Sequence, residues 1–493
     1  MKSDSQYIKN LIRDFLNCDI KELVRDARNR KVYRFANCRN QGYYIKVLKK
    51  NLISCIKIKI EENRHRYLMQ KGAQLPQLIG SSGFIDKDGT EKIALITREI
   101  TGIPLTELTV YKDRFKFGEI LDSLLNFLVD NYKNGVMHSD LHFGNILLIK
   151  DSNNFVFVDA KKIKYKKCYT VKEVITNFCL LYLSLHNICF FNNELWDNLV
   201  GEFFKKYGIA GVYRDYAEIV RVKLFKNWIK RRTKRCFRDN LSFTVFKNKH
   251  ISGVYQKKYS SFFTENDVFK YLDSVFSDDK TKFIKNSNTT AVVKLNFLGE
   301  ELIIKKFKIK RKFDPVKNIF RKSRGYRCWK WSWMLNLYKI QVPEPVFFLE
   351  KRVFGMLGEN YFATKYCSQA ETVSDYLNQC KEFDKTVFLR DFSKFVSQLL
   401  NINLCHNDFQ LKNILVKEES GKFYFYLIDL EAVDDRSISY DEKLFFYISY
   451  LKKSFLRLDD PQVFSRKKIV SFIKTLSYKT KTRDIVSVCK NGQ

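Results

Sequence analysis

The chain has 493 residues, 45% hydrophobic and 15% aromatic, with 19 glycines and 6 prolines. That is longer than one hydrophobic core usually serves and too apolar for wholesale disorder, so two folded domains are expected. Lysine and arginine number 89 against 54 aspartate and glutamate, a formal +35 at pH 7, a field that draws anions such as nucleic acid, acidic lipid, nucleotide phosphate or acidic glycolipid without choosing among them. A lysine-rich solvated surface is the plain alternative. The twelve cysteines show no CxxC or other paired metal spacing, and Cys179 and Cys189 lie in apolar runs where a reduced thiol acts as a small hydrophobe. The start, MKSDSQYIKNLIRD, lacks the basic-then-apolar order of a signal peptide. The longest apolar stretch, Phe178 to Phe191, is too short to span a bilayer and contains His186 and Asn187, which predicts a buried core helix in a cytosolic chain.

In chain order, alternation in GYYIKVLKK around Lys46 predicts strands, and apolar spacing over Ile56 to Gln70 predicts a helix that stops at Gly72. A second amphipathic helix is expected over Phe115 to Lys133. It is followed by a polar-edged loop, a short strand Ile146 to Ile149, a turn at Lys150 to Asn154, and the strand FVFVD ending at Asp159. The stretch Lys226 to Lys258, dense in lysine and arginine, is read as a junction. The same succession then returns: strands in AVVKLNFLGEELIIKKFK around Lys305, a helix Tyr326 to Tyr338 ending before Pro343 and Pro345, and a helix Phe388 to Asn401. A loop, a strand Ile414 to Val416, a turn at Lys417 to Lys422, and FYFYLID ending at Asp429 complete it. The expectation is an α+β chain of two homologous domains, 1–250 and 251–493, each with a β-rich N-terminal lobe and a mostly helical C-terminal lobe.

The loops carry the chemistry. The first reads HSDLHFGN, with His138, Asp140 and Asn145; the second reads HNDFQLKN, with His406, Asp408 and Asn413. Phosphoryl transfer is mostly positioning and charge neutralisation, and needs a carboxylate beside the acceptor hydroxyl and hard oxygen ligands for magnesium. A five-residue offset lets the loop turn back, so that Asp140 and Asp408 face the acceptor while Asn145 and Asn413, with Asp159 and Asp429 on the next strand, face the metal. His138 and His406, two residues before the aspartates, are expected to hold the loop by hydrogen bonds. A single HxDxxxxN is a modest signal and two ordinary turns would produce it, but its return in the same context is much stronger. Lys46 and Lys305, on apolar strands, are the candidate phosphate ligands, with Lys306 the rival of Lys305 and an outward-facing strand lysine the alternative for either. Glu61 is placed to pair with Lys46, with Glu62 in competition, and Glu99 joins the nucleotide-binding candidates. The second copy's helix, YRCWKWSWMLNLY, has no acidic residue, and neither half has a GxGxxG loop.

With these residues the sequence resembles the lipopolysaccharide kinase superfamily. The first half is similar to the heptose(II) type through GVMHSDLHFGNILL and FVDAKKIKYKK. The second is similar to the heptose(I) and Kdo branch through IIKKFKIKRKFDPVKNIFRKSRGYRCWKWSWMLNLYKIQVPEPV, LCHNDFQLKNILV and LIDLE. The resemblance covers roughly residues 30–190 and 280–435. It implies two protein-kinase-like domains in tandem, ATP and Mg2+ as cofactors, a general-base role for Asp140 and Asp408, and magnesium roles for Asn145, Asp159, Asn413 and Asp429. It also implies an acidic lipid-linked glycan as substrate, met at the cytoplasmic face of the inner membrane by a peripheral enzyme whose charge would hold it there. Two other readings stay open: one active half beside a non-catalytic scaffold half, or the same fold acting on a small molecule or protein. The aromatics fall in strands and amphipathic helices, so no specific nucleic-acid partner is expected.

Overall fold

The computed structural model describes residues 2–458 except 19, 28–29, 111–113, 150–153, 187, 189–192, 266, 310–320, 380–383, 403, 436–438 and 456. All but Asn154 of the expected turn Lys150 to Asn154, Asn187, Cys189 and the whole segment KRKFDPVKNIF therefore lie outside the described residues. The chain forms two compact units, Met1–Asn227 and Trp228–Gln493, and the division falls inside the basic helix Arg214–Arg235, at the start of the stretch read as the junction. Each unit is α+β, with a sheet-based N-terminal lobe and a helical C-terminal lobe, and each is protein-kinase-like in its element order.

In the first unit, five antiparallel strands lie in the order Glu22–Ala27, Arg30–Ala36, Gly42–Lys49, Glu91–Arg98, Leu78–Ile85. Strand residues alternate between faces, and Tyr43, Ile45 and Val47 are buried beneath Ile8, Leu11, Ile12 and Phe15 of the helix Lys2–Asn17. Lys46 is thereby turned to the opposite face, which carries the helix Leu52–Gln70 with Ile58 packed on Leu78 and Leu95. Asn51 and Ser54 form a reciprocal cap at that helix's start. The C-terminal lobe is built on helices Arg114–Lys133, Val171–Phe178 and Asn193–Tyr207 around Ile146, Phe155 and Phe157. Phe178 stacks on Phe203 at 3.9 Å between ring centres. Of the predicted single helix over 178–191, the described residues form the end of Val171–Phe178, a 3-10 turn and the short helix Tyr182–Leu185, with Phe178, Cys179, Leu181, Tyr182 and Leu185 buried. Among the described residues, no helix is long and apolar enough to cross a membrane.

In the second unit, seven strands lie in the order Phe243–Lys247, Ile251–Gln256, Pro345–Val353, Met356–Lys365, Glu300–Phe307, Thr290–Phe297, Phe283–Asn286. Both faces are covered. One meets Tyr259, Phe263, Phe269 and Leu272 from helices Ser260–Glu265 and Val268–Ser277 and the turn before them. The other meets Trp329 and Leu335 of helix Arg324–Leu337. Period-two alternation then separates neighbouring residues: Phe347 lies in the first of these clusters and Phe348 in the second. Gly325 is pressed against the sheet, its N–H donating to Asn360 Oδ1 at 2.9 Å, and a Cβ there would come within 2.8 Å of the Tyr361 carbonyl oxygen.

The repeat extends to small features. In each unit a two-stranded ladder joins the loop histidine to the segment after Asp159 or Asp429, Val136–His138 with Ile163–Tyr165 and Cys405–His406 with Val433–Asp434. A separate three-stranded sheet carries the intervening hairpin.

Trp329 is fully buried, donates its indole N–H to the Cys236 carbonyl at 2.9 Å, and is edge-on to Phe243 and Trp333. Trp329→Ala is expected to destabilise the second unit by about 3–5 kcal/mol and Trp329→Phe, which loses chiefly the hydrogen bond, by about 1 kcal/mol. Urea unfolding of the full chain followed by circular dichroism measures both, and equal effects would assign the stability to the hydrogen bond rather than to volume.

Candidate active site

The loop geometry is the same in both units. His138 is fully buried, its Nδ1 accepts the Asp140 N–H at 3.3 Å, and its Nε2 bonds the Val158 carbonyl at 2.9 Å. Because Nδ1 is the acceptor, the proton sits on Nε2, which donates to Val158. In the second unit, His406 accepts the Asp408 N–H at 3.3 Å and donates to the Ile428 carbonyl at 3.0 Å. Val158 and Ile428 immediately precede Asp159 and Asp429, so one neutral ring ties the loop aspartate's backbone to the strand-end aspartate. Burial lowers the pKa of both histidines, against the pull of the two neighbouring aspartates.

Asn145 Nδ2 donates to the Asp140 carbonyl at 2.8 Å, and Asn413 Nδ2 donates to both the Asp408 carbonyl and its Oδ2 at 2.8 Å. With the amide nitrogen committed, the amide oxygen of each asparagine is its remaining acceptor. Asp159 and Asp429 both adopt left-handed backbone, with φ of 60° and 57°. That conformation costs a non-glycine residue about 1–3 kcal/mol and persists where the surroundings over-determine it. Each aspartate is then closed off by a 3-10 turn, Ala160–Lys162 or Leu430–Ala432.

The lysines separate cleanly from their rivals. Lys46 Nζ bonds both Glu61 oxygens, at 2.6 and 2.5 Å, while Glu62 is occupied by Ser81, Arg66 and Lys59. Lys305 Nζ bonds Asp429 Oδ1, while Lys306, turned to the other face, bridges Asp273 at 3.0 Å and Glu359 at 2.9 Å. Burial acts to lower the Lys305 pKa, but Glu431 and Asp429 outweigh it and the net shift is upward. Burial likewise raises Asp429, and Lys305 overrides it to a net lowering. Glu99 is set apart from the Lys46–Glu61 pair: its carboxylate takes Arg34 Nε at 2.6 Å, beyond the end of strand Glu91–Arg98, whereas Lys46 faces Leu95 on that strand.

Among the described residues, no three His, Cys, Asp or Glu side chains converge into a closed metal cage. One aspartate and one asparagine oxygen per unit instead suit Mg2+, which is usually held by one or two carboxylates with waters and substrate phosphates completing its shell.

Three contributors escaped the sequence reading. Arg64 Nη2 donates to the Ile163 carbonyl and so docks helix Leu52–Gln70 on the segment after Asp159. Gln410 Nε2 donates to Asp408 Oδ1. Arg324 Nη2 bonds Glu431 Oε1 at 3.1 Å and also reaches Thr290 Oγ1, while its Nη1 takes the Thr289 carbonyl. Thr289 lies in the turn between strands Phe283–Asn286 and Thr290–Phe297. The only available sequence cue was Glu431 itself, two residues after Asp429.

Comparison with known proteins places a kinase-like family on each half. Residues 317–474 match the lipopolysaccharide kinase (Kdo/WaaP) family and residues 8–184 the ABC1 atypical kinase-like domain. Among solved structures, WaaP in complex with acyl carrier protein is similar at 14% identity, covering 47% of this chain and 93% of that one with a TM-score of 0.32. The amicoumacin kinase hAmiN in complex with AMP-PNP, Ca2+ and Ami is similar at 12% identity, 46% and 86% coverage and a TM-score of 0.29. No curated protein matches the chain.

The buried histidines also set a pH dependence. A histidine with a lowered folded pKa binds fewer protons in the native than in the unfolded state, so stability is full above the unfolded value of about 6.5 and falls as pH drops towards the folded value. Urea midpoints measured from pH 7.5 to 5 are expected to decline over that interval, and the His138→Gln/His406→Gln chain is expected to show a flatter profile from a lower starting stability.

Proposed function

We propose that both units are ATP-dependent phosphotransferases with an alcohol acceptor, acting on heptose or Kdo hydroxyls of the lipopolysaccharide inner core. The observation that carries this reading is the recurrence, in two compact units, of one His–Asp–Asn–Asp arrangement, with a strand lysine ion-paired to Glu61 of a helix in the first and to Asp429 in the second. The Kdo/WaaP match over 317–474 supports the acceptor class.

ATP supplies the transferred phosphoryl group, and magnesium supplies the charge neutralisation that the transfer requires. Asn145 with Asp159, and Asn413 with Asp429, hold the metal. Lys46 and Lys305 bind nucleotide phosphates. Asp140 and Asp408 orient the acceptor hydroxyl and take its proton, with their backbones fixed by His138 and His406. The left-handed aspartates are then strain kept at a working position.

The acceptor is anionic in this reading. Near the start of helix Arg324–Leu337, a cavity of about 470 Å³ is lined by Lys308, Arg321, Lys322, Arg324 and Arg327, a cation density suited to phosphate or carboxylate. With a formal +35 over the chain, we place the protein peripherally at the cytoplasmic face of the inner membrane, drawn by acidic lipid and substrate. Its binding to lipopolysaccharide-containing vesicles should weaken steadily as salt rises from 50 to 500 mM; salt-independent binding would remove the electrostatic part of the reading.

The activity is tested with full-length chain, Mg·ATP and purified core oligosaccharide, mapping the phosphates by mass spectrometry. Asp140→Asn and Asp408→Asn are each expected to slow one transfer by about a hundred- to ten-thousand-fold and to remove different phosphates. Identical phosphate patterns from the two variants would contradict two working sites.

A further inference from the structure

Helix Leu52–Gln70 of the first unit is apolar on two opposite sides. Its inner side is buried through Ser54, Ile58, Glu62, His65 and Leu68. The outer side carries Leu52, Ile53, Ile56 and Ile60, which are between 50% and 78% exposed. Residues three and four apart share a helix face, so these four form one stripe rather than scattered single residues, and Tyr67, also exposed, continues it two turns further on. A contiguous exposed aliphatic stripe marks a surface that meets something. The charges around it say what. Lys57 and Lys59 fall on either side of the stripe, and Lys49 and Lys50 stand exposed just before the helix. Lys50 is 3.5 Å from Glu91 and Lys59 is 3.2 Å from Glu62, whereas Lys49 and Lys57 make no ion pair among the described residues. The helix's only two carboxylates are withdrawn from its outer side: Glu61 is on Lys46, and Glu62 is buried and held by Ser81, Arg66 and Lys59.

We propose that helix Leu52–Gln70 is the membrane-docking element of the first unit, laying Leu52, Ile53, Ile56 and Ile60 into the surface of an anionic bilayer while Lys49, Lys57 and Lys59 meet the lipid phosphates. A helix of this kind lies in the plane of the interface with its apolar side chains in the headgroup and acyl boundary, and lysines beside the stripe extend their stems along the apolar surface and keep the ammonium group at phosphate level. A second copy of the chain is the poorer occupant. Two such stripes packed about a two-fold axis would bring the Lys57 and Lys59 side chains of both copies together, with no exposed carboxylate on either helix to answer them. The proposal rests on the reading of the protein as peripheral to an acidic membrane and deepens it by naming the surface. Ile60 directly precedes Glu61, so the helix that meets lipid is also the one that supplies the counter-charge to Lys46.

The test uses the full-length chain and measures its flotation with phosphatidylcholine vesicles and with vesicles of phosphatidylcholine mixed with phosphatidylglycerol. The wild-type chain is expected to bind the mixed vesicles only. Ile53→Gln/Ile56→Gln/Ile60→Gln, which replaces exposed side chains with a good helix former, is expected to bind them about tenfold or more weakly with an unchanged thermal midpoint. In a separate Ile56→Trp chain, the added emission should be quenched by brominated acyl chains in the mixed vesicles. Equal binding by the glutamine variant and the wild-type chain overturns the proposal while leaving a general electrostatic attraction in place, and so does unquenched Ile56→Trp emission on bound vesicles. A wild-type chain that sediments as a dimer and a glutamine variant that sediments as a monomer would assign the stripe to a second copy and overturn it as well. Failure of the wild-type chain to bind either vesicle overturns the peripheral-membrane reading and this proposal with it.

Discussion

A single buried imidazole in each unit holds the chemistry together. Each ring accepts from the backbone N–H of the loop aspartate and donates to the carbonyl just before the strand-end aspartate, Asp159 or Asp429. Two carboxylates on different elements are thereby held in register by one rigid, uncharged group. A neutral ring is required because both roles are used at once: protonation of Nδ1 would remove the acceptor. Burial keeps the ring neutral even between two aspartates, since desolvation of a cation outweighs their pull.

The surrounding elements serve that register. Asn177 donates to the His138 carbonyl at 2.9 Å and is itself bonded by the buried Tyr132 hydroxyl, while Tyr447 receives the His406 N–H at 3.1 Å. The helical lobes thus reach the same strand by different side chains. From the sheet lobe, the segment after the lysine-facing helix offers a carbonyl acceptor to the strand before the aspartate: Phe157 N–H donates to the Gln74 carbonyl and Leu427 N–H to the Gln341 carbonyl, each at 3.0 Å. Backbone constraints of this kind survive side-chain divergence, which accounts for two units that keep a geometry while differing around the lysine.

That difference is an exchange of charge positions. Lysine on a strand between apolar neighbours needs a counter-charge to stay ionised in a poorly hydrated place. The first unit meets the need with Glu61 of a helix and the second with Asp429 at a strand end. The basic surface around helix Arg324–Leu337 adds a field that an anionic acceptor would feel before it is bound.

Much of this was legible in the sequence, because the determinants are local and periodic. The repeated HxDxxxxN, the strands ending at Asp159 and Asp429, the helix over 56–70 and the lysine strands follow from spacing and alternation, and the structure places Leu52–Gln70, Ile146–Ile149 and the lysine strands accordingly. What the sequence left open was settled by the third dimension. Whether Lys305 or Lys306 meets the aspartate depends on which face of a seven-stranded sheet each helix covers, and Glu61 against Glu62 on how a helix is rotated over its sheet. Arg324 and Glu431 are 107 residues apart along the chain, and their meeting depends on a glycine that lets a helix touch a strand. Periodicity reports which face a residue shares with its neighbours, but only tertiary packing decides what stands across from that face.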